Sequence, residues 1–162
     1  VNAPKGIGPL VERALDRVAG LGWHLQLYSN GAELAGIEGV VMKAGVPVVV
    51  DHVAGMKSVD EAGFVALLRM MKAGKAYVKV TNRFLGAGGM EAMVRAILAA
   101  NEDRVLWGTD WPHPDNRSYP GRKATDVSPF KDVDDAVGLN QFVKWGGGAK
   151  QLVENPARLY GF

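Results

Sequence analysis

Val46-Pro-Val-Val-Val-Asp-His-Val53, then Ser58 to Lys72 (SVDEAGFVALLRMMK), then Ala76-Tyr-Val-Lys-Val-Thr81 form the stretch on which the fold turns. The first segment is a continuous apolar run and reads as a strand over 46–53 buried on both faces. Ser58 stands three residues before Glu61, the spacing of a capping box, and the apolar positions from there to Lys72 repeat at helical intervals. The third segment alternates, with Tyr77, Lys79 and Thr81 on one face and Val78 and Val80 on the other. Strand, helix and strand joined by short connections predict a parallel pair with a right-handed crossover.

The same unit recurs on both sides. Leu10 to Ala19 is helical in spacing, and Trp23 to Tyr28 alternates, setting His24, Gln26 and Tyr28 against Trp23, Leu25 and Leu27. Ala32 to Ala44 reads as a helix weakened by Gly36 and Gly39, Gly89 to Ala100 as another, and Val105 to Thr109 as a short strand ending at Asp110. A polar stretch of about twenty residues follows, long for a plain connection. Asp132 to Trp145 and Ala149 to Glu154 are helical in pattern before Asn155-Pro156 and a last turn. Four strand–helix units come to about half of the ~250 residues of a closed eight-stranded barrel, and a doubly wound four-stranded sheet fits the length as well. One polar face per strand suits a barrel lumen better than a sheet apolar on both sides, so half a barrel is the expected α/β architecture.

Composition bounds the rest. A chain of 162 residues is expected to form one domain, and 48% hydrophobic with 22% charged residues excludes intrinsic disorder. Nineteen basic against seventeen acidic side chains leave +2, too little to favour nucleic acid or an anionic membrane, and no basic run carries interleaved aromatics. The absence of cysteine excludes disulfides, thiolate nucleophiles and thiolate-bound zinc. No run approaches the ~20 apolar residues of a membrane-spanning helix.

Tyr28, His52, Arg83 and Asp110 fall at or just past the C-terminal ends of the four strands, the edge where parallel α/β folds bind ligands. Each has an ordinary structural reading: a rim aromatic, a hydrogen-bonded histidine, a solvated arginine, a turn-capping aspartate. Equivalent placement in four successive units asks for one shared cause. Lys79 faces the lumen, either as a substrate contact or in a buried ion pair with Asp110 or an upstream acid. His113, after Trp111-Pro112, is a loop or substrate contact. His24 lies ~13 Å deeper than the strand's end and is expected to be a lumen-packing residue hydrogen-bonded inside the barrel. Gly86-Ala-Gly-Gly89 lacks the Lys-Ser/Thr of a phosphate loop and the spacing of a dinucleotide fingerprint. Asp115 to Lys131, with Arg117, Arg122 and Lys123, reads as a solvated loop or as a lid over an anionic substrate.

Arg104-Val-Leu-Trp-Gly-Thr-Asp110-Trp-Pro-His-Pro114 resembles the last-strand motif of the amidohydrolase superfamily, in its amidohydrolase-2 branch. Val49-Val-Asp-His52-Val-Ala-Gly55 resembles the family's earlier histidine strand, Tyr77 to Thr81 the strand between, and Leu152 to Phe162 (LVENPARLYGF) its closing helix and tail. The likeness covers nearly the whole chain as strands five to eight, the C-terminal half of a TIM (β/α)8 barrel. Trp23-His-Leu-Gln-Leu-Tyr28 is similar to the strand found in hydrolases of the 2-pyrone-4,6-dicarboxylate lactonase type.

The resemblance implies that Asp110 is the general base for water, that His52 polarises the carbonyl or holds substrate, that Tyr28 contacts substrate, and that Arg83 pairs with a substrate carboxylate. These residue types suit those tasks: a carboxylate takes a proton near neutral pH, a fixed donor stabilises an oxyanion, and guanidinium meets carboxylate in two-pronged geometry. Many members of the superfamily bind zinc through a His-x-His pair, further histidines and the last-strand aspartate. This chain has three histidines, no His-x-His, and Tyr28 where metal-binding relatives place a histidine. Two plausible ligands fall short of the three that a catalytic zinc needs. No metal and no cofactor are expected. The expected function is metal-independent hydrolysis of a small dicarboxylate lactone, cytoplasmic, in aromatic-compound breakdown. The competing readings are a zinc-dependent decarboxylase or hydrolase of the same superfamily, and a non-catalytic half-barrel that binds a second copy or another chain. Val1-Asn2-Ala3 reads as the tail of a fourth strand. The chain is thus expected to be a fragment, inactive until its N-terminal half or an oligomer partner completes it.

Overall fold

The computed structural model describes residues 6–82, 89–114, 121–123 and 125–162. Four strands, β1 (Leu25–Leu27), β2 (Val48–Val50), β3 (Ala76–Thr81) and β4 (Val105–Gly108), form one sheet in the order β1-β2-β3-β4. All three pairings are parallel, with Gln26 beside Val49, Val49 beside Tyr77, and Lys79 beside Leu106. The helices are α1 (Gly8–Val18), α2 (Gly31–Lys43), α3 (Ala62–Lys72), α4 (Met90–Asn101), α5 (Asp135–Lys144) and α6 (Asn155–Tyr160). A doubly wound sheet reverses its strand order at a switch point, whereas here each strand adds to the same side of its predecessor. Sequential order is that of a barrel, and this is a partial (β/α) barrel.

The alternation read from the sequence separates the two faces. Val48, Val50, Val78, Val80 and Val105 turn toward the helices and join Leu34, Phe64, Leu67, Met93 and Ile97 in the main core. Val49, Tyr77 and Leu106 face the other way and cluster with Leu159 of α6. The last helix therefore lies against the lumen side, with Tyr160 meeting His24 edge-on at 5.4 Å. Among the described residues, that ring contact stands where a hydrogen bond was expected for His24. Asn155 anchors the helix by donating to the carbonyls of Glu102 and Val105 at 2.7 and 2.8 Å.

Glycine lets two helices close on each other. A Cβ on Gly63 of α3 would stand 2.2 Å from the carbonyl oxygen of Gly31, at the start of α2. Asn30 caps α2 through its side chain and Glu33 completes the box, which overcomes the helix-weakening glycines inside.

Several boundaries differ from expectation. β2 ends at Val50, and Asp51–Gly55 is a tight turn in which His52, Val53 and Ala54 have φ of 51°, 52° and 51°. The apolar character of Val53 reflects burial in the core beneath that turn, which periodicity cannot tell from burial in a strand. The helix expected from Ser58 starts at Ala62. The Glu61 carboxylate accepts from the amides of Lys57 and Ser58 at 2.7 and 3.1 Å, so the capping residues organise the turn before the helix. The stop expected at Asn155-Pro156 is absent: a wide helical turn over Lys150–Glu154 leads straight into α6, with Pro156 at the changeover between them. Gly89 caps α4 at a φ of 88°, and Gly86 to Gly88 lie outside the described residues. Of the 115–131 stretch, Arg117 lies outside them too, while an antiparallel bridge from Pro114 to Phe130 ties its ends together. Arg122 bonds the Ser128 hydroxyl within it.

Candidate active site

Three of the four strand-end residues come together. His52 leaves β2 on its left-handed turn, Asp110 leaves β4 with φ of 67°, and His52 Nε2 stands 3.5 Å from Asp110 Oδ1. The Tyr28 ring meets the His52 ring edge-on at 5.8 Å. Arg83 lies outside the described residues.

Asp tolerates left-handed backbone better than most residues, but Val53 does not: its branched Cβ makes φ of 52° costly, by about 1–2 kcal/mol. Burial of Val53 and Ala54 holds the turn in place. The turn lifts the imidazole off the strand line and over the sheet edge.

Thr81, last residue of β3, meets His52 Nδ1 through its hydroxyl at 2.8 Å. The Asp110 carboxylate accepts but cannot donate, so a neutral imidazole facing it carries its proton on Nε2 and accepts the Thr81 hydroxyl at Nδ1. Asp110 thus favours the tautomer whose N–H points toward it, and Thr81 holds the ring in that orientation.

Beneath this pair lies a second polar group. Asp51 is buried; its Oδ1 is 3.1 Å from Lys79 Nζ, and its Oδ2 accepts from Gln26 Nε2 at 2.7 Å. Lys79 also donates to Gln26 Oε1 at 2.8 Å, closing a three-membered ring of contacts. Of the partners foreseen for Lys79, the upstream acid is the one found, not Asp110. A cavity of about 250 Å³ is lined by Gln26, Asp51, Lys79, Thr81, His52 and Asp110 among others, with Pro156 and Tyr160 at its base. A wider one of about 640 Å³ opens beside it, where Tyr28, Asp51 and His52 adjoin the first turn of α2.

His113 does not join this group. It is 8% exposed, its Nε2 lies 2.9 Å from Asp135 Oδ1, and it is not among the described residues lining either cavity. Its side chain, expected as a loop or substrate contact, turns inward onto α5. Asp51, Thr81 and Asp135 were given no role from the sequence. Strand alternation put Thr81 on the lumen face, which was signal enough to find it; Asp51 was hidden inside an apolar run, and Asp135 had no local signal. Among the described residues no three His, Asp or Glu side chains converge as a metal site would require.

The Amidohydrolase family model matches residues 3–162. This chain belongs to that family. It is 30% identical to a 2-pyrone-4,6-dicarbaxylate hydrolase of Comamonas testosteroni, over 89% of this chain and 50% of that protein. It is 26% identical to a 4-sulfomuconolactone hydrolase of Rhizobium radiobacter, over 99% of this chain and 56% of that protein. Both relatives are named as hydrolases, and the chain spans about half their length. Among solved structures, a protein of Agrobacterium tumefaciens superposes with a TM-score of 0.70 at 23% identity, covering 94% of this chain and 55% of that one. An amidohydrolase 2 of Bifidobacterium longum gives a TM-score of 0.67 at 20% identity, covering 95% and 56%. Both solved chains extend well beyond the part matched here, in keeping with a partial barrel. No helix among the described residues is long and apolar enough to cross a membrane.

Proposed function

We propose that this amidohydrolase chain supplies the Asp110 half of an active site that opens a small carboxylated lactone with water. The observation that carries the reading is the Asp110 carboxylate 3.5 Å from His52, whose other ring nitrogen meets Thr81, on a cavity at the C-terminal edge of a parallel sheet. The named activities of the two relatives supply the substrate class.

In this reading water attacks the lactone carbonyl carbon while Asp110 takes its proton. The His52 Nε2–H donates to the oxygen that becomes an oxyanion, the point at which a fixed donor lowers the barrier most. The tetrahedral centre then collapses, the ring C–O bond breaks, and the leaving oxygen takes the proton held by Asp110. One water is consumed, and the products are a carboxylic acid and a hydroxyl on one open chain. Tyr28 flanks the ring, and Arg83 receives a substrate carboxylate. Lys79, paired with Asp51, adds a donor to the cavity lining.

Many amidohydrolases hold zinc, and here the fit is poor. Asp110 and His52 are the two ligand-type side chains that face each other, and Thr81 occupies the other imidazole nitrogen. Metal independence is therefore part of the proposal. The complete protein, assayed with 2-pyrone-4,6-dicarboxylate and with a muconolactone, is expected to turn over at least one of them and to keep its rate after dialysis against a strong chelator. Loss of activity on chelation, restored by zinc, would replace this reading with the zinc-dependent one.

A further inference from the structure

We propose that Asp135, at the start of α5, is a positioning residue for Asp110, clasping the turn that carries it to the end of β3. The inference deepens the functional reading and rests on Asp110 being the base.

Asp110 to His113 is a tight turn closed by the His113 amide donating to the Asp110 carbonyl at 3.1 Å. Both ends are left-handed, with φ of 67° and 55°, and neither is glycine. Such a turn relaxes unless something outside it holds it. At the near end the Trp111 amide donates to the Thr109 hydroxyl at 3.1 Å. At the far end the Lys131 amide donates to the His113 carbonyl at 2.9 Å, and the buried imidazole reaches Asp135. A carboxylate only accepts, so the His113 proton sits on Nε2 and points at Asp135 Oδ1.

The same oxygen takes a second donor from a different strand. Asn82, which follows Thr81, donates through Nδ2 to Asp135 Oδ1 at 2.8 Å and to the Asp134 carbonyl at 3.4 Å. The Asn82 side chain lies in a notch on α5 that only glycine provides: a Cβ on Gly138 would stand 1.6 Å from Asn82 Oδ1. Asp134 caps the helix, accepting from the amides of Ala136 and Val137 at 2.9 and 3.3 Å, which fixes where Asp135 sits. One carboxylate oxygen thus grips the end of β3 and the turn after β4 together. Thr81 at the first of these points orients His52, and Asp110 stands at the second. The clasp sets the separation of the two groups that do the chemistry while lying away from the substrate cavity.

A residue that acts this way changes the rate of the chemical step and leaves substrate affinity alone. In the complete protein, with 2-pyrone-4,6-dicarboxylate as probe, Asp135→Ala and His113→Ala are each expected to lower kcat by roughly 10–100-fold with KM within about twofold, the scale of a small misplacement of a catalytic group. His113→Gln, whose amide nitrogen can take the place of Nε2, should recover most of that loss. Nitrogen NMR of the imidazoles should show His113 protonated at Nε2, a preference lost in Asp135→Ala. A lowered melting temperature with unchanged kcat would make the clasp merely structural, and a raised KM at constant kcat would make His113 a substrate contact; either overturns the inference. Asp110→Asn serves as the control. If Asp110→Asn is inactive while the Asp135 variants behave as wild type, the clasp alone fails. If Asp110→Asn is fully active, the reading of the site fails and the clasp with it.

Discussion

Thr81 holds the His52 ring by its Nδ1, so that Nε2 is the nitrogen that faces Asp110. Removing the Thr81 hydroxyl takes away that orienting hydrogen bond. Thr81→Val, nearly isosteric, is expected to lower kcat by about tenfold, the scale of one lost orienting hydrogen bond of ~1.4 kcal/mol, with KM little changed. Steady-state kinetics on the complete protein checks this, and an unchanged kcat would show that Thr81 is dispensable. That Tyr28, His52 and Asp110 share one edge was legible in the sequence because each stands at or just past the end of a strand. Asp51 was not, because a buried acid inside Val48 to Val53 carries no periodic mark; its meaning lies in Lys79 and Gln26, on two other strands. The inward contact of His113 was hidden for the same reason. Its partner stands twenty-two residues on, at the start of a helix whose approach the sequence does not announce.

At the scale of elements, the α2–α3 contact is the most sharply constrained. Gly63→Ala places a methyl against backbone that cannot swing aside and is expected to cost about 1–3 kcal/mol. Gly36→Ala, in the same helix layer, meets nothing within 4 Å and is expected to stabilise by up to about 1 kcal/mol through helix propensity. Urea denaturation of the two variants should move the midpoint in opposite directions. The same two helices share the Glu38–Arg69 pair, joined at 2.6 and 2.7 Å. Hydrogen bonding from Arg69 holds the Glu38 carboxyl below its ordinary value. Its contribution to stability is therefore whole above the ordinary carboxyl range and fades as pH falls through the depressed value. Glu38→Gln should flatten the acid side of a stability–pH profile and leave the slope near neutrality alone; an unchanged acid limb would show the pair contributes nothing. Among the described residues, strand and helix types were readable where the apolar period is clear, at two in β1 and β3 and near 3.6 in α1 and α3. The ends were not: the left-handed turn after β2 and the uninterrupted run through Pro156 are set by what they pack against.

The molecule as a whole is a run of βα units whose strand order, not its composition, distinguishes a barrel from a doubly wound sheet. That order was beyond the sequence pattern, since both folds alternate strands and helices alike, and only the polar lumen faces favoured the barrel. The helix that closes the chain lies on that lumen side, Leu159 on Val49, Tyr77 and Leu106, so the floor of the cavity is built by the last residues and its rim by the strand ends. Floor, rim and clasp converge on one carboxylate. The decisive measurement is kcat of Asp110→Asn in the complete protein with 2-pyrone-4,6-dicarboxylate, read beside its folded-state spectrum. The account predicts a loss of about 10²–10⁴-fold in a fully folded variant, the worth of a general base. A folded Asp110→Asn protein that turns over the lactone at the unmodified rate would contradict it.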